Sequence, residues 1–395
     1  MKILYIGSAI HPNDIMRFSG PSVAGNKMQL GILKALHRVY LDDLSVLTQI
    51  PISQFPREKK IVVKSSSMNL ADRLHANSIS FLNLPFIKQI QMILHTKREV
   101  LKWCKQNQYE EKVILCFNAL PQIAKPAIAY QKRFGYKIVT LLADPPIDPI
   151  QRGFIKGLFK SLENHMSIST LQFIDGVVAL NQKMIDDYTP AQKSVIIEGG
   201  LDLDFINPLI DKVKPEQYKI IYSGALTAYS GVSNLIQALP WIKNNHFIIE
   251  IYGTGPLQES ILESMKHENR LVYKGNVSNQ EMMEIQRHAD ILINPRLIKD
   301  PVSMYTFPSK LIEYMASGTP TLTTKVNGLL DEYLPYLFVM EEDTPQAIAN
   351  AIEKLLNMDY QHLIKTGLEG RTFVMKEKNW EVQTNRLVRF MEEVI

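Results

Sequence analysis

The densest chemistry in the sequence lies between Asn294 and Pro320, NPRLIKDPVSMYTFPSKLIEYMASGTP. A strand ends at Asn294-Pro295, an irregular loop follows, and Phe307-Pro308-Ser309 leads into a helix whose first-turn amides have no acceptor within it. Lys310 and Glu313 lie three residues apart and share one face of that helix. Free amides beside a lysine suit a diphosphate, and a carboxylate one turn on suits a sugar diol. The same two residues also fit a plain surface ion pair, worth only ~0.3–0.5 kcal/mol. Gly318 is placed to cap the helix, and Pro320 to start the next strand.

In open α/β sheets ligands bind beyond the carboxyl ends of the strands, so the residues just after each strand carry the remaining candidates. Gly7-Ser8 follows the first strand, and a loop containing Ser19, Gly20, Pro21 and Ser22 precedes the first helix. Tyr252-Gly253-Thr254-Gly255-Pro256 follows a strand of the second half and opens a helix. Neither is the GxGxxG fingerprint, and glycine-rich turns recur throughout α/β folds, so each alone is weak. The strand Lys137–Ala143 delivers Asp144, which Pro145 holds out of the helical region. A carboxylate presented in this way can orient or deprotonate a hydroxyl. It equally fits an aspartate that satisfies the amides of a turn. Asn118, at the end of the preceding strand, is a weaker candidate of the same kind.

These residues presuppose a scaffold that repeats one design: a short apolar run, then Gly, Asp or Pro, then a helical pattern. Residues 2–7, 113–118, 137–144, 176–181 and 194–198 follow it in the first half. Residues 219–224, 247–253, 271–275, 290–295, 320–324 and 337–340 follow it in the second. Continuous apolar runs suit strands buried on both faces of a parallel sheet. Helical stretches such as Val23–Leu36, Ser233–Leu239 and Gln280–His288 lie between them, and Thr344-Pro345 opens a helix Gln346–Leu356. The alternation predicts an α/β protein with two doubly wound sheets. Their boundary falls at residues 199–217, which carry Gly199, Gly200, Pro208 and Pro215, and a last helix covers Trp380–Val394.

A chain of 395 residues exceeds one core, and 46% hydrophobic with 21% charged residues excludes extensive disorder. Two cysteines, Cys104 and Cys116, exclude a disulfide-built secreted scaffold. No apolar run reaches the ~18 residues of a membrane span. Met1–Gly7 reads as a strand rather than a signal peptide, so the expected location is cytoplasmic. The net charge of +4 hides an asymmetry: residues 1–200 carry 25 Lys+Arg against 15 Asp+Glu, and residues 201–395 carry 19 against 25. The basic half suits an anionic membrane surface, a phosphate-bearing substrate, or solvated charge with no partner. Its basic residues are spread out and no nucleic-acid motif accompanies them, so no nucleic-acid partner is expected.

The pattern Phe307-Pro-Ser-Lys-Leu-Ile-Glu313-Tyr-Met-Ala-Ser-Gly-Thr-Pro320 resembles the donor-site helix of retaining glycosyltransferases of family 4. Ile220-Ile-Tyr-Ser-Gly224 with Tyr229-Ser-Gly-Val resembles that family's strand and "KG" turn, and Ile251-Tyr-Gly-Thr-Gly-Pro256 its "GxGP" turn. Val272-Tyr-Lys-Gly275 through Ala289–Pro295 resembles its nucleotide-base strand and the helix and strand after it. The likeness covers most of residues 215–325 and the first half mainly by architecture. It implies a GT-B fold, two Rossmann-like domains facing across a cleft. Residues 1–200 would be the N-terminal acceptor-binding domain and 201–375 the nucleotide-sugar-binding domain, with 376–395 a helix crossing back to the first.

The resemblance further implies transfer of a sugar, with retention and without a required metal or cofactor, from a nucleotide-diphosphate sugar to a glycan or lipid-linked acceptor. Surface polysaccharide or glycoconjugate assembly is the setting it suggests. The family's paired glutamates, separated by seven residues, fall at Tyr305 and Glu313, so the first carboxylate is absent. The "KG" lysine that faces the donor phosphates is Ser230. Lys310, helped by Arg296, is the substitute, which would move phosphate neutralisation onto the donor helix and stabilise the departing diphosphate. Glu313 would hold the ribose, Gly275, Asn276 and Val277 the base, and Ser19, Gly20, Pro21 and Ser22 would close over the phosphates and sugar. Gly224, Gly253, Thr254, Gly255, Phe307, Pro308, Ser309 and Leu311 complete the expected donor site. Asp144 and Asn118 stand at the acceptor.

Asp202-Leu-Asp204 has the form of a manganese motif from the other major glycosyltransferase fold, but its interdomain position argues against that role. Nine histidines are scattered without zinc spacing, so no metal site is expected. Leu82–Cys104 mixes apolar residues with Lys88, Lys97, Arg98 and Lys102. It reads as a helix packed on its own domain, or else as a peripheral contact with the inner face of the membrane. Two rivals remain: a GT-B nucleotide-sugar epimerase, and a degenerate homologue acting as a partner subunit.

Overall fold

Continuous apolar runs become parallel strands covered on both faces. The computed structural model, which describes residues 1–18, 20, 22–147 and 154–395, holds two such sheets in two units. One unit is Met1–Gly200 with Trp380–Ile395, and the other is Leu201–Asn379.

The first unit carries an eight-stranded sheet in the order Lys193–Ile196, Gly176–Ala179, Lys137–Leu142, Lys112–Phe117, Lys2–Gly7, Leu44–Thr48, Leu74–Ser78, Ser67–Ala71. All neighbours are parallel except the last two strands, an antiparallel hairpin at the edge. Ile3, Tyr5, Ile6 and the run Val113 to Cys116 are fully buried at its centre. The strand Leu44–Thr48 and the edge hairpin are additions to the pattern expected from sequence. A strand with one wet face alternates, and Leu74–Ser78, next to the edge strand, does so residue by residue between buried and exposed. The chain order reverses between Lys2–Gly7 and Lys112–Phe117, so a crevice opens beyond their carboxyl ends.

The helix Trp380–Val394 completes this unit. Leu387, Phe390, Met391 and Val394 form its buried stripe, each contributing roughly 1.5–3 kcal/mol through burial. Gln383 Nε2 donates to the Gly199 carbonyl at 2.8 Å, and Arg386 to that of Ile196 at 3.0 Å. The Trp380 indole lies between Gly31, in the helix Val23–Tyr40, and Gly200.

The second unit holds six parallel strands in the order Leu271–Gly275, Phe247–Tyr252, Tyr218–Ser223, Ile291–Asn294, Thr321–Thr324, Phe338–Met340. In chain order these are the third, second, first, fourth, fifth and sixth, a dinucleotide-type sheet with its reversal between first and fourth. Ile220, Ile249, Ile251, Ile291 and Ile293 are buried completely within its core. Thr344 caps the helix Pro345–Leu356 and Ser278 the helix Asn279–Arg287, each accepting a first-turn amide at 3.2 Å. The unit's two chain ends meet, with the Leu201 amide donating to the Lys378 carbonyl at 2.7 Å.

A side chain at Gly31 would occupy the indole's place. Gly31→Val is expected to lower stability by at least ~2 kcal/mol through overpacking. Trp380→Ala in the same chain should make the two changes less than additive, read from denaturant unfolding of the double-mutant cycle.

Candidate functional site

The reversal between the first and fourth strands of the second unit collects most of the residues singled out above. Gly224 follows the strand Tyr218–Ser223 with φ +148°, and its missing side chain is the space that the Lys310 ammonium fills. Gly253 follows the next strand with φ +127° and lies against the Gly224 carbonyl, so the two turns pack backbone to backbone. A larger residue at Gly253 would force the turns apart, and one at Gly224 would displace the Lys310 ammonium. The Leu226 amide donates to the Thr254 carbonyl at 3.0 Å, and the Leu257 amide returns to the Leu226 carbonyl at 3.1 Å.

Lys310 opens the helix Lys310–Ala316, and its Nζ stands 5.0 Å from the centroid of the Tyr222 ring. Arg296, just beyond the fourth strand, donates from Nε to Ser303 Oγ at 2.9 Å and from a terminal nitrogen to Thr306 Oγ1 at 2.6 Å. Its guanidinium lies 5.2 Å over the Tyr229 ring. Among the described residues neither cation has a carboxylate within salt-bridge distance. Lys310 keeps some exposure, yet burial of its ammonium brings the pKa down to about 8, with Arg296 adding to the fall and Glu313 opposing it. Burial also lowers the Arg296 pKa. Hydroxyls and aromatic faces hold these charges in place without neutralising them, which leaves them available to an anion.

The other candidates divide by what their side chains already do. Phe307, Pro308 and Leu311 are buried, and Phe307 packs on Tyr333 with ring centroids 5.3 Å apart. They therefore shape the helix entrance. Ser309 is exposed at the helix start, and Glu313 is half-buried one turn on. Gly275 ends the third strand and Asn276 follows it exposed, while Val277 packs against the buried cluster that includes Tyr252 and Tyr314. Ser230 is buried and donates to the Thr227 carbonyl at 2.6 Å, so its hydroxyl serves its own turn. Asp202 accepts the Asp204 amide at 3.2 Å as a local cap.

Some residues that hold the candidate site in place escaped the sequence. Tyr314 Oη accepts the Ser223 amide at 2.8 Å, tying the Lys310 helix to the end of the first strand. Ser303 and Thr306 fix Arg296 from the loop between strand and helix, and nothing in their spacing marks them.

In the first unit, Asn118 and Asp144 come together. Asn118 adopts φ +63°, donates from Nδ2 to Asp144 Oδ2 at 3.0 Å, and accepts the Ala143 and Asp144 amides at 2.8 and 3.1 Å. The exposed Asp144 carboxylate is thus oriented by its neighbour. Ser22 caps the helix Val23–Tyr40 by accepting the Gly25 amide at 3.1 Å, and Gly20 lies against the backbone of residues 51–53. Ser19 and Pro21 lie outside the described residues. Asn26 and Gln29, buried on that helix, bind the Ile10 and Ser8 amides at 2.9 and 2.8 Å and so set the loop after the first strand.

Residues 217–358 match the family model of group 1 glycosyl transferases. A protein of Escherichia coli named as a colanic acid biosynthesis glycosyltransferase is 23% identical over 210 residues, covering 51% of this chain and 52% of that one. The chain spans about half the length, or less, of the curated relatives it matches. The sucrose-phosphate synthase of Thermosynechococcus elongatus superposes with a TM-score of 0.71 at 14% identity, covering 100% of this chain and 99% of the other. The Anabaena protein HepE in complex with UDP gives 0.67 at 15% identity, covering 100% of both. The fold is GT-B, built from two Rossmann-like domains.

Because burial disfavours the charged form of Lys310, its contribution to stability is present above the ordinary lysine pKa and is lost as pH falls through about 8. Competitive acetylation of the folded protein should place the Lys310 midpoint near 8. A midpoint in the ordinary lysine range would contradict this environment. Gly224→Ala should push the ammonium outward and return the midpoint toward that range.

Proposed function

We propose that the protein is a retaining glycosyltransferase that takes a sugar from a nucleotide-diphosphate sugar and places it on a hydroxyl of a glycan or lipid-linked acceptor. The observation that carries this reading is the pair of half-buried cations, Lys310 and Arg296, with no carboxylate in ion-pair contact among the described residues, at the reversal point of a dinucleotide-type sheet. A diphosphate supplies the missing charge, and binding it there stabilises the leaving group as the bond to the sugar breaks. The match of residues 217–358 to group 1 glycosyl transferases supports the same reading.

In this mechanism the glycosyl C1–oxygen bond to the diphosphate breaks and a bond from C1 to the acceptor oxygen forms on the same face. The electron pair stays with the diphosphate, whose oxygen also takes the acceptor proton. Lys310 and Arg296 meet the developing negative charge, so no metal is required. Glu313 accepts from the ribose hydroxyls, and the backbone at Gly275, Asn276 and Val277 meets the base. Asp144, fixed by Asn118, orients the acceptor hydroxyl. Surface-polysaccharide assembly is the setting, as the name of the E. coli relative suggests.

A thermal-shift panel of nucleoside diphosphates and nucleotide sugars, without metal, tests the donor site. A ligand at ~100 times its Kd adds ~2.7 kcal/mol, enough to raise Tm visibly. One base series should stabilise the wild type and lose its effect in Lys310→Ala, while turnover falls at least ~10-fold. Silence across the panel at millimolar ligand would overturn the reading in favour of a non-catalytic subunit. Donor conversion without any acceptor would favour an epimerase. Asp144→Asn should lower kcat and leave nucleotide affinity unchanged.

A further inference from the structure

The helix Ile87–Gln106 buries Met92, Thr96, Val100 and Trp103 on one face. Its exposed face carries Arg98, Lys102 and Lys105 toward the end, but its first turns are not the polar surface that such packing ordinarily leaves. Phe86, Ile90 and Leu94 repeat every four residues along it and are 59%, 58% and 57% exposed. Phe86 also holds φ +65°, a left-handed conformation that bulky residues rarely adopt, so the chain keeps a phenyl ring outward at a strained position.

A second exposed segment lies beside this stripe. Buried Asn83 donates from its side chain to the carbonyls of Ser53 and Lys60 at 2.9 and 3.1 Å, and its amide donates to that of Ile61 at 2.6 Å. Val62 pairs with Leu82, four residues before Phe86. Residues 55–64 are thereby fixed next to the helix start, presenting exposed Ile61 and Val62 together with exposed Arg57, Lys59, Lys60 and Lys64. Glu58 is the one acidic residue among them. Lys88 does not belong to this surface, because its ammonium turns inward to the Ile52 carbonyl at 2.5 Å.

We propose that this face of the first unit, the Phe86–Ile90–Leu94 stripe with the basic segment Arg57–Lys64, docks on an anionic lipid bilayer. Apolar side chains between cations match the boundary between acyl chains and negatively charged headgroups. A second copy of the chain fits worse, since it would bring the same four cations face to face. Among the described residues no helix is long and apolar enough to cross a membrane, and the contact proposed is one along a surface. The inference stands apart from the donor site, because it concerns other residues and is measured without nucleotide.

Flotation with phosphatidylglycerol-containing vesicles tests it against phosphatidylcholine vesicles. The wild type should float with the anionic vesicles only, and less so in about 0.5 M salt, where the Debye length falls well below that in physiological buffer. Phe86→Ser/Ile90→Ser/Leu94→Ser should weaken binding at least ~10-fold, and Lys59→Glu/Lys60→Glu/Lys64→Glu likewise. The single change Phe86→Gly, which relieves the strained backbone, should weaken binding while Tm holds or rises, separating docking from folding. Absence of vesicle binding, binding indifferent to these substitutions, or a dimer that the triple serine variant abolishes would each overturn the proposal.

Discussion

A largely desolvated ammonium group with no carboxylate in ion-pair contact is unfavourable, and the second unit is arranged around that imbalance. Lys310 occupies the space where any residue but glycine at 224 would carry a side chain. Gly224 in turn lies against Gly253, and the Lys310 helix is tied to the end of the first strand through Tyr314. Arg296 sits in the same region, anchored by two hydroxyls. Strand order, glycine turns and helix placement all converge on two cations that no carboxylate contacts directly among the described residues. The fold alone does not require such a pair, which is why it points to a ligand.

The strand pattern was legible wherever strands are covered on both faces. The runs at Lys2–Gly7, Lys112–Phe117 and Phe247–Tyr252 are apolar because both of their faces are buried. Leu44–Thr48 was missed because a run of five residues with a serine in it carries little signal. The edge hairpin was missed for a different reason. Asn69, His75 and Asn77 face water there, and alternation so short and polar resembles a loop.

The charged members of the candidate site stood out because lysine, arginine and glutamate at a strand end and helix start are few. What the sequence could not convey was who holds them. Ser303, Thr306 and Tyr314 act through contacts that arise only once loop and helix have folded back on the sheet. The pairing of Asn118 with Asp144 depends likewise on two adjacent parallel strands ending at the same level. The helix around residues 82–104 presented two readings as alternatives, packing or membrane contact. The structure buries one face and leaves a second apolar stripe outside, so burial of the helix does not account for all of its hydrophobic residues.

The return of Trp380–Val394 to the first unit has a consequence for synthesis. The second unit is inserted into the first: the chain leaves at Gly200 and comes back only at Trp380. During translation the first sheet therefore emerges early but lacks the helix that covers Gly31, Gly176 and Gly200 until residues 380–394 have left the ribosome. Leu201–Asn379 is already contiguous by then and can fold as a unit ahead of it. Met1–Gly200 is thus made before the second unit and completed after it, and while residues 201–379 are synthesised it is an unclosed core awaiting the helix Trp380–Val394.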